Sequence, residues 1–272
     1  MSSTRPSESA AAGTRLRALA VLPARLASTR LPRKVLLAET GLPLFVHSAR
    51  NVQGCAAIDE VLVATDEEAV AQAAREHDVA VRMTSAEHVS GTDRVHEAVQ
   101  AHGGDWDVII NVQADEPEVD PADLANLVAA FQDPAVEIAT LCTPVTSDEE
   151  LASPNTVKLV RKANGDALYF SRAAIPDTRH ARPGAPAPRY LRHLGVYAFR
   201  PSALARCCAL STGTLESLES LEQLRWLEAG ESLRVLDAHR APRGIDTRAD
   251  YDAFVALHAG RSQAGPGLST PR

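Results

Sequence analysis

The segment PARLASTRLPRK, residues 23–34, sets four cations on one short loop: Arg25, Arg30, Arg33 and Lys34. Converging guanidinium and ammonium groups complement a chain of phosphates, and a triphosphate carries about four negative charges. Ser28 and Thr29 add hydroxyls and backbone N–H groups between the cations. Lys34 also breaks a habit, since only three of the 28 basic residues are lysine. A solvated basic loop is the plain alternative.

Two carboxylate positions could work with such a loop. In NVQADEP, residues 111–117, Asp115 and Glu116 directly follow an apolar run. A carboxylate there can hold Mg²⁺ against phosphate oxygens, or it can simply open a turn before Pro117. In GIDT, residues 244–247, Asp246 is a second metal carboxylate, or Asp246 or Thr247 caps a helix with Asp250 completing a capping box, and both roles can coexist in one residue. Both readings stand at this point.

The elements that must position these groups alternate. RALAVL, EVLVAT, VAVRM, DVIINV and EIATL read as strands, with helices from about Pro43, Glu67, Thr92 and Pro121 between them. That order predicts a parallel sheet covered by helices, whose ligand sits at the carboxyl ends of the strands. The cationic loop follows the first strand, and Asp115 follows a later one on the same edge. No GxGxxG turn is possible, because the nearest glycines are Gly13 and Gly41, and no GKS or GKT is present. This argues against a hydride-transferring dinucleotide enzyme and a Walker loop.

From Asn155 the texture changes to consecutive strands, TVKLVRK, DALYFSR and RYLRHLGVYAFR, which predict an antiparallel insertion. Helices at 201–209 and 215–229, a strand at 232–236 and a last helix from Thr247 complete the chain. One domain over 15–260 results, divided into 15–154, an antiparallel segment 155–200 and a return to the main sheet over 201–260. Residues 1–14 and 261–272 read as disordered tails.

Composition limits the function. The net charge of −7 argues against nucleic acid held by bulk electrostatics, although a local cationic pocket is compatible with it. The longest apolar run near the start, ALAVL, cannot cross a membrane. Four cysteines without a CxxC pair read as reduced thiols in a cytoplasmic protein.

The motifs LPARLASTRLPRK, VATDEE, SGTDR, NVQADEP, LYFSRAAIP, RHLGVYAFR, LESLEQLRWLEAGE and GIDT resemble, in order, those of the CMP-Kdo synthetases. These are the 3-deoxy-manno-octulosonate (Kdo) cytidylyltransferases, and the resemblance covers residues 17–257. It implies an α/β, Rossmann-like nucleotidyltransferase fold, a homodimer formed through the antiparallel segment, CTP and Kdo as substrates, and Mg²⁺ as cofactor. Arg25, Arg30, Lys34, Asp115 and Asp246 would be catalytic, with Asp115 and Asp246 on the metal. Pro23, Ala24, Arg25, Ser28, Arg30, Lys34, Ser90, Gly91, Thr92 and Gln113 would bind the nucleotide. Arg172, His193, Tyr197, Glu222 and Gln223 would meet the sugar acid.

Two departures stand out: the family usually has glycine where this chain has Arg33 and Ala114. Ala114 matters if that position needs a positive φ or close backbone approach to CTP, and Arg33 adds a cation beside the triphosphate. Strand alternation puts His193 and Tyr197 on one face, and helical spacing puts Glu219, Glu222 and Gln223 on one polar face. The remaining histidines have no ligand spacing and read as structural. Other readings kept open are a cytidylyltransferase for another 3-deoxy or amino-sugar acid, a CTP-binding sensor without catalysis, and a metal-dependent glycosyltransferase, which the lack of a DxD motif weakens.

Overall fold

The computed structural model describes residues 15–26, 30–184 and 189–263. Ser28, Thr29 and residues 1–14 and 264–272 therefore lie outside it. Among the described residues the strands and α-helices begin in the order β1 Ala18–Pro23, α1 Leu44–Gln53, β2 Glu60–Thr65, α2 Glu68–Glu76, β3 Ala80–Met83, α3 Gly91–His102, β4 Val108–Asn111 and α4 Pro121–Ala130. The order continues with β5 Ile138–Pro144, α5 Asp148–Ala152, β6 Lys158–Arg161, β7 Ala167–Ser171, β8 Leu191–Phe199 and α6 Pro201–Ala209. It ends with α7 Thr214–Glu219, α8 Gln223–Glu228, β9 Leu233–Asp237 and α9 Arg248–Gln263.

The main sheet runs β3-β2-β1-β4-β8-β5-β9. Strands β1 and β2, β1 and β4, β2 and β3, and β5 and β9 pair in parallel. Every residue of β1 is buried, because helices cover both faces of the sheet. Ala18, Ala20 and Leu22 pack with α1 and α4, including Val46, Ala49, Leu124 and Leu127. Leu19 and Val21 face α3, α6 and α8, with Val95, Leu204 and Trp226.

The predicted insertion needs correction. Strand β8 is not peripheral; it lies between β4 and β5 in the main sheet and runs antiparallel to both. Its residues 196–199, VYAF, are all buried, so the run is apolar on both faces and suits a central strand. Only the β6–β7 hairpin stands off the main path, attached through two β6–β8 pairs.

The loop after β1 also carries an unforeseen helical turn, Lys34–Leu36, capped by Arg33 at φ 56°. That left-handed backbone costs a non-glycine residue roughly 1–2 kcal/mol, which explains glycine as the usual occupant. Arg33→Gly should raise stability by about 0.5 kcal/mol once glycine's unfolded-state entropy is subtracted. Thermal melting of the two proteins checks this, and an unchanged or lower melting point counts against strain at Arg33. Ala114 has no such strain, since its φ is not positive.

Candidate active site

Strands β1 and β4 are parallel neighbours, so the loops after Pro23 and Asn111 leave from one edge. There the Lys34 ammonium forms an ion pair with Asp115 and donates to Asp246 Oδ1 at 3.1 Å and to the Ile245 carbonyl at 3.0 Å. Arg30 Nη2 reaches the same Asp246 oxygen at 3.1 Å. Burial by itself would lower the Lys34 pKa, but Asp115 and Asp246 outweigh it and hold the ammonium above its ordinary value. Four predicted residues from three separate chain segments therefore meet.

A small third core brings Asp246 to this place. Leu31, Leu44, Ile245, Tyr251 and Phe254 pack together, joining the cationic loop and α1 to α9. Asp246 is not the cap of α9. Thr247 Oγ1 accepts from Asp250 N at 3.2 Å, and Asp250 Oδ2 accepts from Thr247 N at 2.7 Å. This reciprocal pair is a capping box, which leaves the Asp246 carboxylate to Lys34 and Arg30.

Glu116, the other carboxylate of NVQADEP, stands apart from the Lys34 cluster in its electrostatics. Its Oε2 is buried without a hydrogen-bond partner, and burial, then Asp115, push its pKa up to about 7.

Several residues expected at the nucleotide gather at the start of α3. Arg25 donates to the carbonyls of His88 at 2.8 Å, Val89 at 3.1 Å and Ser90 at 2.7 Å. Ser90 caps α3 in a capping box with Asp93. Gly91 lies against the Pro23 ring, and Ala24 N donates to Ala64 O at 2.8 Å. The helix is pinned from below by Arg94, which pairs with Asp66 at 3.0 Å and donates to Thr84 Oγ1 at 2.5 Å. Asp66 and Arg94 belong to VATDEE and SGTDR but received no role from sequence, since α2 and β3 separate them and local pattern does not register the pair.

The residues expected at the sugar acid are partly joined to this group. Thr92 Oγ1 donates to Glu222 Oε2 at 2.8 Å, linking α3 to the α7–α8 region. Gln113 Nε2 donates to the Gly195 carbonyl at 3.4 Å, between His193 and Tyr197. The His193 and Tyr197 rings lie 5.3 Å apart, which agrees with the shared face, and Tyr197 packs edge-on to Trp226 at 5.2 Å. Burial, then Glu222, raise the Tyr197 pKa well above its ordinary value.

Burial also lowers the His193 pKa from 6.5 to about 3, so the imidazole is neutral at pH 7. The unfolded chain then binds the extra proton first, and His193 lowers stability as pH falls from 6.5 toward 3. His193→Gln should flatten the acid-side loss by up to about 1.4 kcal/mol per pH unit. Denaturant titrations from pH 6.5 to 4.5 check it; parallel curves for the two proteins reject it.

The single helix over 215–229 is not formed. Ser220 adopts φ 52° and separates α7 from α8. Arg172 supplies the physical reason: its Nε and Nη2 donate to the Glu219 and Ser220 carbonyls at 2.8 and 3.2 Å, which a continuing helix would need. Glu219, Glu222 and Gln223 consequently do not share one polar face. Glu219 accepts from Ser171 Oγ and Arg172 N, Glu222 turns to Thr92, and Gln223 is buried. Arg172 thus stands at the α7–α8 corner.

Cys207 is buried, Cys208 partly so, and all four cysteines are free. Among the described residues no helix is long and apolar enough to cross a membrane.

Comparison with known proteins extends this geometry. The family model described as Cytidylyltransferase matches residues 19–233. A 3-deoxy-manno-octulosonate cytidylyltransferase of Nitratidesulfovibrio vulgaris strain DP4 is 45% identical over 238 residues, covering 87% of this chain and 94% of that protein. One from Acidobacterium capsulatum is 44% identical over 242 residues, covering 89% and 96%. A solved CMP:2-keto-3-deoxy-manno-octonic acid synthetase in complex with CTP superposes with a TM-score of 0.82 at 41% identity, over 90% of this chain and 99% of that one. With its main motifs in order, its sheet-edge cluster assembled and its relatives matched over nearly their whole length, the chain belongs to the 3-deoxy-manno-octulosonate cytidylyltransferase family.

Proposed function

We propose that this protein transfers CMP from CTP to the anomeric hydroxyl of 3-deoxy-D-manno-octulosonate, giving CMP-Kdo and pyrophosphate. The observation that carries the reading is the convergence of Arg30, Lys34, Asp115 and Asp246 at one sheet edge in a chain 45% identical to a named Kdo cytidylyltransferase. The anomeric hydroxyl attacks the α-phosphorus in line with the departing pyrophosphate. Alignment and charge stabilisation are the main tasks of the protein in such a step.

In this reading Arg25, Arg30 and Lys34 neutralise the triphosphate. The guanidinium of Arg25 exchanges carbonyl acceptors for phosphate oxygens. Pro23, Ala24, Ser90, Gly91, Thr92 and Gln113 frame the nucleotide, and Arg172, His193, Tyr197, Glu222 and Gln223 receive the sugar acid. Neutral His193 acts as a hydrogen-bonding group for hydroxyls, not as a cation.

Asp115 and Asp246 fit a divalent metal, because both carboxylates already reach one ammonium and Mg²⁺ takes carboxylate oxygens readily. Among the described residues no three His, Cys, Asp or Glu side chains gather as a complete metal site, which suits an ion that shares its remaining ligands with phosphates. When bound, Mg²⁺ would supply positive charge to the phosphate oxygens and lower the pKa of a hydroxyl beside it.

The same reading makes the protein a cytoplasmic homodimer. Leu168 on β7 is 55% exposed and Leu218 on α7 is 77% exposed, leaving apolar surface near the hairpin for a second copy. Sedimentation equilibrium checks this; a monomer at micromolar concentration rejects it.

Pyrophosphate release with CTP and Mg²⁺, comparing Kdo with sialic acid, other 3-deoxy sugar acids and no sugar, tests the activity. Release with Kdo supports the proposal. Release with another acid alone redirects the substrate, and CTP binding without release favours a sensor.

A further inference from the structure

Lys158 is the second of only three lysines in this arginine-rich chain, and it is fully buried at the start of β6. Its ammonium makes no ion pair among the described residues. It donates instead to three backbone carbonyls: Ser153 at 2.9 Å, Thr156 at 2.7 Å and Arg172 at 2.5 Å. These occupy all three of its donors. Glu219 supplies an opposite charge without forming an ion pair, burial still holds the ammonium pKa below its ordinary value, and an apolar side chain of similar volume would avoid that cost. The placement of the three acceptors supplies a reason for the lysine.

Ser153 and Thr156 flank Pro154, whose carbonyl accepts Arg172 Nη1 at 2.9 Å. The other guanidinium nitrogens of Arg172 hold the Glu219 and Ser220 carbonyls, and its backbone N–H donates to Glu219 Oε2 at 2.9 Å. Lys158 therefore grips the backbone of Arg172 directly and steadies the turn that supplies one of its guanidinium acceptors. Arginine could not replace it, because a planar fork does not match three carbonyls arranged around a point.

We propose that Lys158 is a positioning residue for the sugar acid: it sets Arg172 and the Ser153–Thr156 turn before substrate arrives, so that the guanidinium stands at the corner carrying Glu222 and Gln223. This inference rests on the Kdo reading of the site. Displacing a substrate-holding group by a fraction of an ångström weakens the interaction with that substrate and spares the other.

Steady-state kinetics of Lys158→Met should show the KM for Kdo raised roughly tenfold or more, with the KM for CTP within about twofold. Lys158→Arg should not restore it. A purely structural role would reduce the active fraction, lowering kcat and leaving both KM values alone; that result, or equal changes in the two KM values, overturns the proposal. Should the variants fail to fold, hydrogen exchange of the wild-type protein decides. Residues 171–173 should be as protected without sugar as with it, and protection gained only on adding Kdo overturns pre-setting. Wild-type protein that releases no pyrophosphate with any 3-deoxy sugar acid removes the parent reading and this one together; active wild type with unselective variants removes this one alone.

Discussion

Lys34→Ala should lower pyrophosphate release by about a hundredfold or more at saturating CTP and Kdo, the order lost with one preorganised electrostatic donor. The ammonium is the only group that touches Asp115, Asp246 and the Ile245 carbonyl together among the described residues. Alanine leaves two carboxylates without the cation between them, and the carbonyl without that donor. The cost to the fold is of order 1–3 kcal/mol, less than the total stability of an ordinary domain. Kinetics and melting therefore separate the two effects. Lys34→Arg should recover little, because the planar guanidinium does not reproduce a compact charge shared by three acceptors. Turnover of Lys34→Ala within a few-fold of wild type would remove Lys34 from the chemistry.

Asp246→Asn should cost a similar factor in turnover and almost nothing in stability. The capping box of α9 is made by Thr247 and Asp250, so the amide at 246 leaves that cap intact. What it changes is charge: Arg30 and Lys34 lose a shared anion, and the proposed metal loses one of its two carboxylates. Asp250→Ala is the control, expected to lower stability by about 1 kcal/mol while turnover of the folded fraction stays close to wild type. If the two substitutions behave alike, with melting lowered and turnover kept, Asp246 is a structural residue.

Much of this was legible in sequence because its signals were local. The βα alternation fixed the parallel part of the sheet, and parallel strands send their loops to one edge. The three lysines among many arginines pointed at Lys34, and the apolar run before Asp115 pointed at the sheet edge. The failures have a different origin. Periodicity over 215–229 cannot register that Arg172, nearly fifty residues earlier, takes the carbonyls at Glu219 and Ser220. The place of β8 between β4 and β5 had a signal in the uninterrupted apolar run VYAF, which belongs to a strand covered on both faces. Asp246 offered two roles to local pattern, and the capping box between Thr247 and Asp250 took the cap from it. The left-handed Arg33 could be suspected only because glycine is usual there.

The small core joining Leu31 and Leu44 to Ile245, Tyr251 and Phe254 has a consequence for how the molecule becomes active. Lys34 and the Ile245 carbonyl are separated by 211 residues. Closing that distance costs chain entropy that only the docking of α9 repays. Trp106 and Trp226 sit in the core that packs against Leu19 and Val21, so their fluorescence reports assembly of the sheet and its helices, whereas catalytic competence awaits arrival of the final helix. A refolding molecule can thus be largely native to the eye of a spectrometer and still be chemically incomplete.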